Sequence, residues 1–199
     1  MTNTQTLTPL QRGVMGLDRL IGLICLAGAG LAALAILASL FIITYSVGMR
    51  YVMNNPQPWT DESVGYLLVA SVMASIAYAL RKGEHIAVDV VTERLPPAGR
   101  SLVELFGLIA VALVAGVMLF EAYETVAFSK LVGLRSNGYL ATELYIPQSM
   151  MILGFALLLV AALSALLRRA VGLPARDGDS AHFGQDEEVA AVLKKTGLE

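Results

Sequence analysis

The sequence predicts an all-α integral membrane protein with four transmembrane helices and a short amphipathic helix in the interface. Three observations carry that prediction. Of 199 residues, 56% are hydrophobic and 15% charged, and mean hydropathy is +0.68. Soluble domains carry about 25% charged residues. The 14 Lys+Arg and 16 Asp+Glu crowd into short segments. Between those segments lie uncharged runs long enough to cross a hydrocarbon core of about 30 Å.

The same arithmetic narrows function. A net charge of -2 and a pI near 5.7 give no basic footprint, so no nucleic-acid partner is expected. One cysteine, Cys25, excludes an intrachain disulfide framework and any CxxC site, and reads as a small apolar residue of the first span. Two histidines, His85 and His182, leave little from which to build a metal centre. A soluble enzyme is excluded, and no catalytic, cofactor-binding or metal-ligating residue is assigned.

The first uncharged run, Leu20 to Met49, lies between Arg19 and Arg50 and would reach about 45 Å as a helix. It is too long for the core of a signal peptide and reads as a retained, tilted span. The second, Ser63 to Leu80, is framed by Asp61-Glu62 and Arg81-Lys82. Leu105 to Phe120, framed by Glu104 and Glu121, is the third and shortest, and should borrow from its flanks. The fourth, Leu144 to Leu167, is framed by Glu143 and Arg168-Arg169, with Pro147 tolerated in its first turn.

These runs set the expected organisation. A flexible N-terminal segment covers 1–15 and a transmembrane domain 16–170, with spans at about 20–47, 62–80, 102–122 and 144–168. A polar tail covers 171–199. No internal repeat is evident. With the N-terminus inside, inner segments hold Arg12, Arg19, Arg81, Lys82, Arg94, Arg100, Arg168, Arg169 and Arg176, and outer loops only Arg50, Lys130 and Arg135. That asymmetry places both termini in the cytoplasm.

Charge buried in a span is the usual pointer to transport or catalysis. Here Glu104, Glu121, Glu124 and Glu143 read as markers at span ends, where water reaches them. The spans also lack the paired Gly/Pro breaks of secondary-transporter substrate sites. They do carry small residues at helical spacing: Ala29 and Ala33; Ala70, Ser71, Ala74, Ser75 and Ala79; Ala112 and Gly116. Such faces permit close helix approach, either within the bundle or against another membrane protein.

Between spans one and two, Pro56 and Pro58 stop any helix, and Trp59 suits the lipid–water boundary. Thr60 is placed as the N-cap, with Asp61 and Glu62 in the first turn at the positive end of the helix dipole. After span two, residues 85–95 read as the interfacial helix, ended by Pro96-Pro97. His85, Asp89 and Glu93 align at i, i+4 and i+8, opposite Ala87, Val91 and Leu95. His85 and Asp89 can pair locally, with Arg81 one turn earlier if the helix continues through Gly83.

Trp59-Thr60-Asp61-Glu62 opening a span, Arg81-x-Gly83-x-His85-Ile86-x-Val88-Asp89 closing it, and Leu95-Pro96 beyond resemble the small membrane subunit of tripartite ATP-independent periplasmic (TRAP) transporters. The likeness covers about residues 15–170. Ile146-Pro147 and Gly154-Phe155-Ala156-Leu157 agree in part; Asp61 and Ile152 depart from the usual Glu and Pro. The resemblance implies a sodium-driven importer of organic acids in the bacterial inner membrane. Its partners would be a large permease subunit and a periplasmic solute-binding protein. The small subunit would act as a scaffold holding no cofactor of its own. It implies structural roles for Trp59, Asp61 and Glu62 at the outer end of span two, and for Arg81, Gly83, His85, Asp89 and Pro96 at its inner end.

Other readings remain open. A haem- or quinone-binding anchor of a membrane oxidoreductase would need facing axial histidines, and only His85 lies near a span. A small multidrug exporter would need an ionisable residue inside a span, typically the first, and Leu20 to Met49 has none. A stand-alone structural or assembly protein is the third.

Overall fold

The computed structural model describes residues 9–82, 97–171 and 173. Among these, four helices follow in order: α1 (Pro9–Val52), α2 (Thr60–Lys82), α3 (Pro97–Val132) and α4 (Tyr145–Ala170). Each is long and apolar enough to cross a membrane. The chain is an all-α, multi-pass membrane protein. The expected interfacial helix at 85–95 lies outside the described residues.

α2 is sandwiched between α1 and α4, α1 also touches α4, and among the described helices α3 packs only on α4. A buried apolar cluster joins Ile21 and Cys25 of α1, Ala77 and Leu80 of α2, Ala115 of α3, and Leu158, Ala161 and Ala162 of α4. Most of these side chains are small, as expected where lipid supplies no hydrophobic drive and close packing holds helices together.

The buried seam of α1 repeats every seven residues, through Asp18, Cys25, Ala32, Ser39 and Ser46. On α3 the same spacing links Ala115, Ala122 and Ser129. A seven-residue repeat keeps one stripe facing its neighbour when helices coil left-handedly. The seam therefore differs from the small-residue face expected on α1: Gly28 and Ala32 are buried, while Ala29 is half-buried and Ala33 exposed. One residue rotates a helix position by about 100°, and the polar members of the repeat decide which stripe turns inward. The Ser39 hydroxyl is satisfied within its own helix, donating to the Ala35 carbonyl at 2.8 Å, as Ser164 of α4 does to the Ala161 carbonyl at 2.8 Å.

Two glycines let α2 be approached on both sides. A Cβ on Gly28 would stand 2.5 Å from the Ala74 carbonyl oxygen, and one on Gly154 would stand 2.7 Å from Met73 Cβ. Backbone therefore meets backbone between α1 and α2.

α3 does not end at Glu121. It continues through Glu124 to Val132, so the third helix borrows from its flanks as expected. What stops it is Gly133, at φ +67°, with the Leu134 amide returning to the Ser129 carbonyl at 3.0 Å. That pairing across five residues is a Schellman termination. The loop to α4 is then closed by Ser136 N donating to Thr142 O at 2.8 Å and Leu144 N to Leu134 O at 3.0 Å. An exposed Arg135–Glu143 pair at 3.4 Å adds little to it.

Candidate functional site: two polar clamps

The bundle is tied at each end by polar side chains that bridge helices far apart in sequence. At one end Asp18 is only 5% exposed. Its Oδ1 accepts from Arg81 Nη1 of α2 at 2.9 Å, and its Oδ2 from Arg168 Nη1 of α4 at 2.7 Å. Arg81 Nη2 also donates to the Asp18 backbone carbonyl at 3.0 Å. The Arg81 side chain reaches this position by lying across Gly22, where a Cβ would come within 2.8 Å of Nη2. Ser164 Oγ lies 3.5 Å from Oδ1. One carboxylate thus holds three helices, and the short distances are those of charge-assisted bonds. Nearby, Gln11 Nε2 donates to the Val171 carbonyl at 3.3 Å, tying the start of α1 to the end of α4.

The clamp at the other end is built on the first turn of α2. Thr60 is nearly fully buried, and its hydroxyl donates to the Gln57 carbonyl at 2.8 Å. A hydroxyl has a single proton, so in the 3.0 Å contact between Ser46 and Thr60 the donor is Ser46. Thr60 was expected to cap the amides of α2. Its proton instead goes back to the preceding turn, and its oxygen ties α1 to α2. Trp59 Nε1 donates to Gln57 Oε1 at 3.1 Å, and the indole stands 6.4 Å from the Tyr45 ring of α1. Asp61 is exposed at the positive end of the helix. Glu62 accepts from Tyr66 Oη at 2.6 Å and from the Leu140 amide at 2.9 Å. Gly138 packs directly on the Glu62 carboxylate, leaving no room for a side chain. The α3–α4 loop is thereby held onto α2.

Of the residues singled out from sequence, Trp59, Asp61, Glu62 and Arg81 lie at the two ends of α2, the first three at its N-terminal end and the last at its C-terminal end. Gly83, His85, Asp89 and Pro96 lie outside the described residues. Sequence reasoning missed Asp18 altogether, because it sits beside Arg19 just before the uncharged run and reads as a boundary charge. The signal was there in its seven-residue spacing from Cys25 and Ala32. Among the described residues no group of three or more His, Cys, Asp or Glu could hold a metal ion. The chemistry available to both clamps is that of hydrogen bonds and ion pairs between helices.

Four apolar helices locked at both ends define a multi-pass membrane bundle whose built features join its own helices. The family model for the DctQ component of tripartite ATP-independent periplasmic transporters matches residues 39–172. The chain belongs to that family, whose members are transporter subunits and not enzymes. It is also 26% identical over 87 residues to the sialic acid TRAP transporter small permease protein SiaQ of Vibrio cholerae serotype O1, covering 44% of this chain and 50% of that protein. The match thus spans about half the length of that curated relative. No solved structure matches the chain significantly. The family match includes Arg81 and Arg168 but begins after Asp18.

Proposed function

We propose that this chain is the scaffold subunit of a sodium-coupled, binding-protein-dependent importer of organic acids. It braces a large permease subunit, which carries substrate and ions, in the bacterial inner membrane. Family membership supports the transporter setting, and the relative named for sialic acid supports an acidic substrate. The observation that carries the bracing role is the double clamp. Asp18 holds Arg81 and Arg168 at one end, and Glu62 holds the Leu140 loop at the other. A bundle secured at both ends suits a fixed platform better than a moving gate.

Reconstitution tests this reading. Uptake of an organic acid into proteoliposomes is expected to require this chain, the large subunit, the binding protein and a sodium gradient together. Full uptake without this chain would defeat it. The orientation is part of the proposal: the Asp18 clamp, rich in Lys and Arg, faces the cytoplasm. Reporter fusions to residues 1 and 199 should both read cytoplasmic, and a periplasmic signal from either would reverse the assignment.

A further inference from the structure

The outward side of α3 carries charge at a depth where the rest of the bundle carries none. Glu121 and Glu124 are both exposed, one turn apart on the same side. Their depth follows from the register of α3 on α4. Lys130 Nζ stands 6.0 Å from the centre of the Tyr145 ring, and Ala115 shares a buried cluster with Leu158, Ala161 and Ala162. Two antiparallel helices meeting at those points set Glu121 level with Gly154, about 13.5 Å below Lys130. Gly154 in turn packs on Met73, near the middle of the uncharged stretch of α2 between Glu62 and Arg81. The Glu121 carboxylate therefore lies at about mid-depth, on the outside of the bundle.

Lipid is a poor neighbour for that group. A carboxylate is costly in hydrocarbon, and glutamate lacks the long stem with which lysine and arginine reach back to the interface. Among the described residues α1, α2 and α4 offer no counter-charge at that level, since they are uncharged over Leu20–Met49, Ser63–Leu80 and Leu144–Leu167. The outward face of α1 is the useful contrast. Leu23, Leu31, Leu34 and Phe41 are exposed there without a charge among them, as lipid contact requires. On α3 the carboxylates stand in line with exposed Leu113, Val117 and Phe128. Among the described helices α3 touches only α4, so this side is uncovered.

We infer that the Glu121–Glu124 face of α3 docks against a transmembrane helix of the large permease subunit that bears a basic or hydrogen-bond-donating side chain at mid-depth. The inference rests on the scaffold reading above and adds the surface through which bracing occurs. Burial against such a helix removes the carboxylates from lipid and gives them a partner that the described helices do not offer.

Site-specific photocrosslinking tests it. Benzoylphenylalanine at Val117 is expected to yield a covalent adduct with the co-expressed large subunit, and the same probe at Leu34 of α1 only lipid adducts. Glu121→Lys should reduce the co-purified large subunit by about ten-fold or more, since a like charge then opposes the partner's donor. Glu121→Gln, which keeps an acceptor, should lose less. Adducts from Leu34 with none from Val117, or undiminished co-purification of Glu121→Lys, would overturn the docking surface while leaving the scaffold role standing. Failure of the unaltered chain to co-purify with the large subunit would overturn both.

Discussion

Replacing Asp18 with alanine is expected to cost about 3–5 kcal/mol of stability, because two largely buried guanidinium groups would then lose the carboxylate they share. Arg81 and Arg168 approach Asp18 to 2.9 and 2.7 Å, and their side chains are only 12% and 16% exposed. Neither can turn to water without giving up its packing against α1. Asp18→Asn, which keeps one acceptor, should fall between wild type and Asp18→Ala. The ordering would be read from thermal unfolding of the detergent-solubilised protein. Because the three residues form one network, Asp18→Leu combined with Arg81→Met should cost less than the sum of the single changes. Additive losses would mean that the clamp does not act as a unit.

A bulky residue at Gly28 is expected to do comparable harm by a different route. Its Cβ would meet the Ala74 carbonyl at 2.5 Å, and a carbonyl within a helix cannot step aside as a side-chain tip can. α1 and α2 would have to separate along the seam. Gly28→Leu should therefore lose about 2 kcal/mol or more, at the upper end of what overpacking costs. Gly30 supplies the control, since nothing lies within 4 Å of the position its Cβ would take. Gly30→Ala should leave the melting temperature unchanged or raise it slightly, because alanine is the better helix former. Equal losses at both positions would show that helix propensity, not the α1–α2 contact, governs the effect.

Hydropathy alone made the four helices legible, because uncharged runs bounded by charge can satisfy their backbone in lipid only as helices. Pro56 and Pro58 made the first break legible as well. Helix faces were a different matter. The α1 segment from Ala27 to Ala35 is rich in small residues on several sides, so adjacent registers looked equally suited to close packing. The choice of Gly28 and Ala32 over Ala29 and Ala33 is made by Asp18, Ser39 and Ser46, whose partners come from elsewhere in the fold or from a preceding turn. Asp18 was hidden for the same reason. A charge beside Arg19 looks like a boundary until Arg81 and Arg168 are seen to converge on it. Glu121 and Glu124 do not mark the end of the helix. The helix runs on past them through Val126 and Phe128 to the stop at Gly133, which the apolar residues between them and that glycine allow. Glu62 showed only its local side in the sequence, its place in the first turn of α2. Its hold on the Leu140 amide depends on the fold of a loop 78 residues away.

The claim on which the rest depends is that this bundle stands still while its partner moves. Ser46 and Thr60 bring their side-chain oxygens within 3.0 Å across the α1–α2 seam, close enough for a paired cysteine replacement to form a disulfide there. With Cys25 changed to alanine, that staple would lock the two helices together in the reconstituted transporter. A static brace predicts the same initial rate of solute uptake with the staple oxidised or reduced. A rate that falls on oxidation and recovers on reduction would show that α1 and α2 shift during transport, and would contradict the account.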